Sequence, residues 1–204
     1  MNRTRLGVFG GTFDPIHIGH LVAAEAARDA FQLDRVLFVP AARPPHKLGQ
    51  VRATPEQRLQ MTILATADNP AFAVSRLEID RPGPSYTIDT LRDLAAENAG
   101  CHLHFITGAD AVLELASWRE PEALLDVAEF IAVARPGAAA ERVAAFAATL
   151  GRRGARIRYL AIPAIDISSH ELRSRVRAGQ SIRYLVPAEV AEYILREGLY
   201  VSGE

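Results

Sequence analysis

Short apolar runs alternate with longer helical patterns along this chain, and that alternation restricts its fold more than any other feature. LGVF (6–9), RVLFVP (35–40), HLHFIT (102–107), EFIAVARPG (129–137) and RIRYLAI (156–162) read as strands, and FAVSRLEID (72–80) alternates like one. Between and after them, LVAAEAARDAF (21–31), TPEQRLQMTILATAD (54–68), YTIDTLRDLAAENA (86–99), AAAERVAAFAATL (138–150), SSHELRSRVRAG (168–179) and PAEVAEYILREG (187–198) read as helices. The second of these opens with a capping box: Thr54 at the cap, Pro55 in the first turn and Gln57 three residues on. Strands that are apolar throughout must be covered on both faces, and helical crossovers join parallel neighbours. The expectation is an α/β fold, a doubly wound parallel sheet with a small helical portion at its C-terminal end. With 204 residues, 49% of them hydrophobic, the chain can build a sizeable core. It shows no internal repeat or linker, so residues 1–204 are expected to form one domain.

In an open parallel sheet, ligands bind beyond the carboxyl ends of the strands, where the strand order reverses. The stretch LGVFGGTFDPIHIGH (6–20) is the first strand-to-helix turn and the expected phosphate site. Gly10 and Gly11 are expected to let the backbone turn tightly and approach an anion, and the amides of Thr12 and Phe13 to cradle it. The spacing is not G-x-G-x-x-G, and the second strand runs into AARPP with no acidic residue for a ribose diol, which argues against a dehydrogenase. No GK[ST] follows, so a P-loop is excluded as well. His17 and His20, three residues apart at a helix start, face the same way. As metal ligands they need a third partner, and as core residues they are out of place beside an already apolar strand. Between glycines at the carboxyl end of a strand, contact with phosphate is favoured, where imidazoles stabilise charge on a transferring phosphoryl group. A reference pKa near 6.5 leaves either protonation state open.

The net charge is −1, and the last 54 residues tilt positive, with 9 basic against 6 acidic groups. RRGARIR (152–158) carries no interleaved aromatics to stack bases, so solvated helix faces are expected rather than nucleic acid. Cys101 is the single cysteine, which excludes an intramolecular disulfide and suits a reducing cytoplasm. The apolar run before the first glycines is too short for a signal peptide, and nothing approaches the roughly 18 apolar residues of a membrane span. A soluble, cytoplasmic protein without a membrane partner is expected, with homo-oligomerisation left open.

Two motifs carry a family resemblance. GGTFDPIHIGH (10–20) resembles the GxFxPxHxGH motif of the nucleotidylyltransferase superfamily, and IDISSHELR (165–173) resembles its ISSTxIR element. Between and after them stand PPHK (44–47), PSYTIDTL (84–91), TGADAVLELASW (107–118), FIAVARPG (130–137) and YLVPAEVAEYILREGLY (184–200). Taken in order, these resemble the bacterial nicotinate-mononucleotide adenylyltransferases.

The resemblance implies a Rossmann-like nucleotidyltransferase fold. It also implies adenylyl transfer from ATP to nicotinate mononucleotide, giving nicotinate adenine dinucleotide and pyrophosphate in NAD biosynthesis. Mg²⁺ is expected with ATP, held by phosphate oxygens and water, with no protein metal site. His17, His20 and Arg173 are the implied catalytic residues. Gly10, Gly11, Thr12, Phe13, Lys47, Ser168 and Ser169 are implied in holding ATP and its phosphates. Tyr86, Thr87, Asp110, Trp118 and Arg135 are implied in binding the mononucleotide. Read alone, Ser168–Ser169 is an ordinary helix cap, Asp110 a helix N-cap and Trp118 a core residue, and those readings stand beside the implied ones. The family pattern has threonine and isoleucine where this chain has His170 and Leu172, which leaves the role of His170 open. No arginine stands out in the sequence as a partner for a nicotinate carboxylate.

Overall fold

The computed structural model describes residues 4–45, 49–134 and 139–201. In chain order the elements are β1 (Arg5–Gly11), α1 (Ile18–Ala30), β2 (Arg35–Pro40), α2 (Pro55–Thr66), β3 (Phe72–Val74), α3 (Leu77–Asp80) and α4 (Thr87–Glu97). Then come β4 (His102–Gly108), α5 (Ala109–Leu113), α6 (Pro121–Val127), β5 (Glu129–Ala134), α7 (Ala139–Thr149), β6 (Ile157–Ala161), α8 (Ser169–Arg177) and α9 (Ala188–Arg196).

Among the described residues, six strands run parallel in the order β3-β2-β1-β4-β5-β6. The order reverses between β1 and β4, so the crevice outside their carboxyl ends, at Gly11 and Gly108, is the topological switch point. The central strands carry apolar side chains on both faces, as the sequence predicts, and two cores result. One joins Phe9, Phe38, Ile106 and Ile131 to α1, α2, α8 and α9. The other joins Val8, Val39, Phe105 and Phe130 to α4, α5, α6 and α7. The C-terminal helical portion closes on the first motif, where the Ile18 amide donates to the Leu185 carbonyl at 3.0 Å.

The capping box forms as read: Gln57 N donates to Thr54 Oγ1, and Thr54 N donates to Gln57 Oε1 at 2.9 Å. The strand expected over 72–80 is shorter than its alternation suggests. Only Phe72–Val74 pairs with β2; Ser75 Oγ then accepts the Leu77 amide at 3.1 Å, the chain coils into α3, and Glu78 turns inward. Asp110 is not a helix N-cap. Gly108 precedes the helix and Asp110 lies in its first turn.

Candidate active site

The loop after β1 is shaped by a left-handed residue rather than by the glycines. Gly10 and Gly11 still belong to the strand, and the turn comes at Phe13, whose φ is +51°. That conformation is uncommon for a bulky side chain and persists only where its surroundings hold it. Phe13 is buried and meets Phe9 and His20 edge-on, with ring centroids 5.7 and 5.2 Å apart. A Cβ on Gly11 would lie 2.6 Å from the Phe13 ring, so Gly11 gives that ring its room. Gly19 does the same for His17, whose Nδ1 would stand 3.1 Å from an added Cβ.

Asp14 anchors the loop from below. Its carboxylate accepts the amides of Arg52 and Ala53 at 2.8 and 3.1 Å and the Tyr200 hydroxyl at 2.8 Å. Arg58, fully buried, donates to the carbonyls of Thr12 and Ala42 at 2.7 and 3.1 Å and so ties this loop to the one after β2. Nothing in the sequence sets Arg58 apart from an ordinary helix-surface arginine.

His17 precedes α1 and His20 lies in its first turn, with their rings 3.7 Å apart. The His17 amide donates to His20 Nδ1 at 3.1 Å, which requires that nitrogen to be unprotonated and leaves Nε2 as the donor of neutral His20. His17 is 7% exposed, its Nδ1 is buried without a partner among the described residues, and burial lowers its pKa to about 4. Burial therefore sets the His17 imidazole as a neutral donor near pH 7.

Two cavities flank the carboxyl ends of β1 and β4, and Gly10, Gly11, Thr12 and Thr107 line both. The larger, about 1010 Å³, is also lined by Phe13, His17, His20, Ser168, Ser169 and Arg173. Nine residues implied by the two motifs thus meet there, although Ser168 follows His20 by most of the chain. Arg173 Nη1 donates to the Asp14 carbonyl at 2.7 Å, which holds the guanidinium across the loop. The serine hydroxyls also have structural partners. Ser168 Oγ caps α8 by accepting the Glu171 amide at 3.1 Å, and Ser169 Oγ donates to the Pro15 carbonyl at 2.9 Å. His170 lines this cavity too.

The smaller cavity, about 200 Å³, is lined by Tyr86, Thr87 and Trp118, three of the residues that the resemblance implies for the mononucleotide. Trp118 packs edge-on to Phe105 at 6.1 Å, so it is a core residue and a cavity wall at once. Asp110 is not beside them. It lines the larger cavity and lies 3.7 Å from Arg142, because the first turn of α5 faces that side of β4. Lys47 and Arg135 lie outside the described residues. The sequence did not point to Arg119, which lines the smaller cavity with its Cζ 4.7 Å above the Tyr86 ring.

A doubly wound sheet with two cavities meeting at a loop that carries paired histidines defines an α/β protein with its ligand crevice at the carboxyl ends of the strands. The family model described as cytidylyltransferase-like matches residues 8–175. A "probable nicotinate-nucleotide adenylyltransferase" of Corynebacterium kroppenstedtii is 49% identical over 204 residues, covering 100% of this chain and 94% of that one. One of the same name from Thermus thermophilus is 50% identical over 196 residues, covering 96% and 99%. This chain belongs to the cytidylyltransferase-like family and, within it, to the nicotinate-nucleotide adenylyltransferases. The fold is shared by the Plasmodium falciparum nicotinic acid mononucleotide adenylyltransferase complexed with NaAD, at a TM-score of 0.79, 18% identity and 97% coverage of both chains.

Proposed function

We propose that the chain, as one domain, transfers the adenylyl group of ATP to nicotinate mononucleotide, forming nicotinate adenine dinucleotide and pyrophosphate. The observation that carries this reading is the shared wall: Gly10, Gly11, Thr12 and Thr107 border both cavities, so ligands in the two place their phosphates against one loop. ATP takes the larger cavity and the mononucleotide the smaller. A phosphate oxygen of the mononucleotide attacks the α-phosphorus of ATP, the new P–O bond forms, and the bond to the β-phosphate oxygen breaks with pyrophosphate leaving in line.

The attacking phosphate is already anionic near neutral pH, so no general base is needed. Alignment and charge stabilisation do the work. The amides of Thr12 and Phe13 hold the α-phosphate; His17 and His20 donate to the oxygens on which charge builds. Arg173 and the N-terminal amides of α8 at Ser168 and Ser169 take the β,γ-phosphates, with Lys47 as a further contact. Asp110, from its position, serves the ribose on the ATP side rather than the mononucleotide. Tyr86, Thr87 and Trp118 hold the pyridine ring and its substituent.

Mg²⁺ enters as part of the ATP substrate and neutralises the triphosphate. The donor set fits that role: the Asp14 carboxylate is committed to Arg52, Ala53 and Tyr200, and the exposed Asp110 stands beside Arg142. The phosphates themselves are then the main ligands of the ion.

The test is pyrophosphate release with Mg·ATP and, in parallel, nicotinate mononucleotide, nicotinamide mononucleotide and phosphopantetheine. Turnover favouring the nicotinate compound supports the reading. Turnover only with another acceptor overturns the assignment of the smaller cavity, and none with any acceptor overturns the reaction.

A further inference from the structure

We propose that the Thr107 hydroxyl donates to the phosphate of the mononucleotide where the two cavities meet, and so holds the attacking group in line. The inference rests on the adenylyl-transfer reading above and adds to it a contact that comes from neither of the two motifs.

Thr107 is the last residue but one of β4, at the carboxyl edge of the sheet. The ladder between β1 and β4 pairs Phe9 with Ile106, so the next step sets Thr107 beside Gly10, which has no side chain to cover it. Side chains two apart on a strand share a face. Phe105 lines the smaller cavity, and Thr107 accordingly presents its hydroxyl on that side. Thr107 also lines the larger cavity. Of the four residues that border both, only Thr12 and Thr107 carry a polar side chain, and only Thr107 has its backbone fixed in the interior of the sheet.

The hydroxyl is free to act. Thr107 is 9% exposed, and its side chain has no hydrogen-bond partner among the described residues. Two other hydroxyls at the smaller cavity are committed: Thr90 donates to Glu78 Oε1 at 2.6 Å, and Ser85 Oγ accepts the Arg43 amide at 3.1 Å. A buried hydroxyl left unpaired costs stability, so one kept at a cavity wall points to a bond that a ligand completes. A hydroxyl brings one O–H donor, and an anionic phosphate brings strong acceptor oxygens. The bond between them is charge-assisted, and stronger than one between neutral groups. Because the hydroxyl stands on the face of β4 turned to the smaller cavity, its partner is the acceptor's phosphate rather than the triphosphate of ATP.

The experiment compares wild type, Thr107→Val and Thr107→Ser, measuring kcat and KM for nicotinate mononucleotide and for ATP, with urea midpoints alongside. Thr107→Val keeps the shape and removes the hydroxyl. It is expected to lower kcat/KM for the mononucleotide about 10–100-fold, the loss of one hydrogen bond to a charged group, while KM for ATP stays within about twofold of wild type. Its urea midpoint should be no lower than that of wild type, because the hydroxyl has no partner within the fold. Thr107→Ser retains the donor and is expected to keep kcat/KM within about threefold of wild type. Wild-type kinetics in Thr107→Val would overturn the proposal. So would an equal loss in Thr107→Ser, a KM for ATP that rises as far as that for the mononucleotide, or a lowered midpoint in Thr107→Val, each of which marks a packing role. Those outcomes leave adenylyl transfer standing; a wild type that releases no pyrophosphate defeats that reading and this one with it.

Discussion

The Tyr200 hydroxyl donates a 2.8 Å hydrogen bond to Oδ1 of Asp14, joining residues 186 positions apart. Burial first, and then the Asp14 carboxylate, push the phenol well above the ordinary tyrosine range, so Tyr200 remains a donor at any working pH. The bond clamps the C-terminal segment onto the loop that follows β1. Tyr200→Phe keeps the ring and leaves a buried carboxylate one donor short. It is expected to lower stability by about 1–3 kcal/mol, read as a lower urea midpoint with an unchanged slope.

His17 and His20 reach the same cavity from one helical turn. Alanine at either position is expected to lower kcat about 10²–10³-fold, the effect of removing one preorganised donor from a transition state. Far-ultraviolet circular dichroism should match wild type. Near-normal turnover in both variants would remove the imidazoles from the mechanism.

Burial lowers the His17 pKa from 6.5 to about 4, and that has a consequence for acid stability. Between those values the unfolded chain binds a proton that the folded chain refuses. Stability is therefore expected to fall as the pH drops from 6.5 toward about 4, and to level off below it. Burial lowers the pKa of His104 as well, so its contribution has the same sign. His17→Asn should flatten the profile without abolishing it, as measured by urea midpoints at successive pH values. An identical slope in wild type and variant would show that His17 is not held neutral.

Arg58 is enclosed by three backbone carbonyls, those of Thr12, Ala42 and Ala53, at 2.7, 3.1 and 3.3 Å. Arg58→Met fills a similar volume but leaves all three without their donor. A loss of about 3 kcal/mol is expected, on the scale of breaking a buried charged network. Because two of those carbonyls belong to the loops after β1 and β2, KM for both substrates should rise together. A variant as stable as wild type would show that the loops hold themselves.

Much of this arrangement is legible in sequence because its signals are local. Apolar runs such as RVLFVP need cover on both faces whatever lies around them, and the Thr54–Gln57 box closes within one turn. The strand read over 72–80 overran because a period-two pattern cannot register Ser75 ending the strand by accepting the Leu77 amide. The glycines of the first motif were visible, but their reason was not. Gly11 and Gly19 make room for the Phe13 and His17 rings, neighbours defined by the path of the loop rather than by the order of residues.

The sequence by itself determined the class of fold, the position of the loop after the first strand and the residue types brought to it. These follow from hydrophobic periodicity and from short-range backbone chemistry. Only the tertiary structure decided which side chains share a wall. Sheet order sets β4 against β1, so Asp110 faces the larger cavity while Trp118 and Arg119, a few residues on, face the smaller. Arg58 and Tyr200 look like ordinary residues along the chain. Their roles arise from partners that are distant in sequence, and those partners meet only when the sheet and its covering helices have packed.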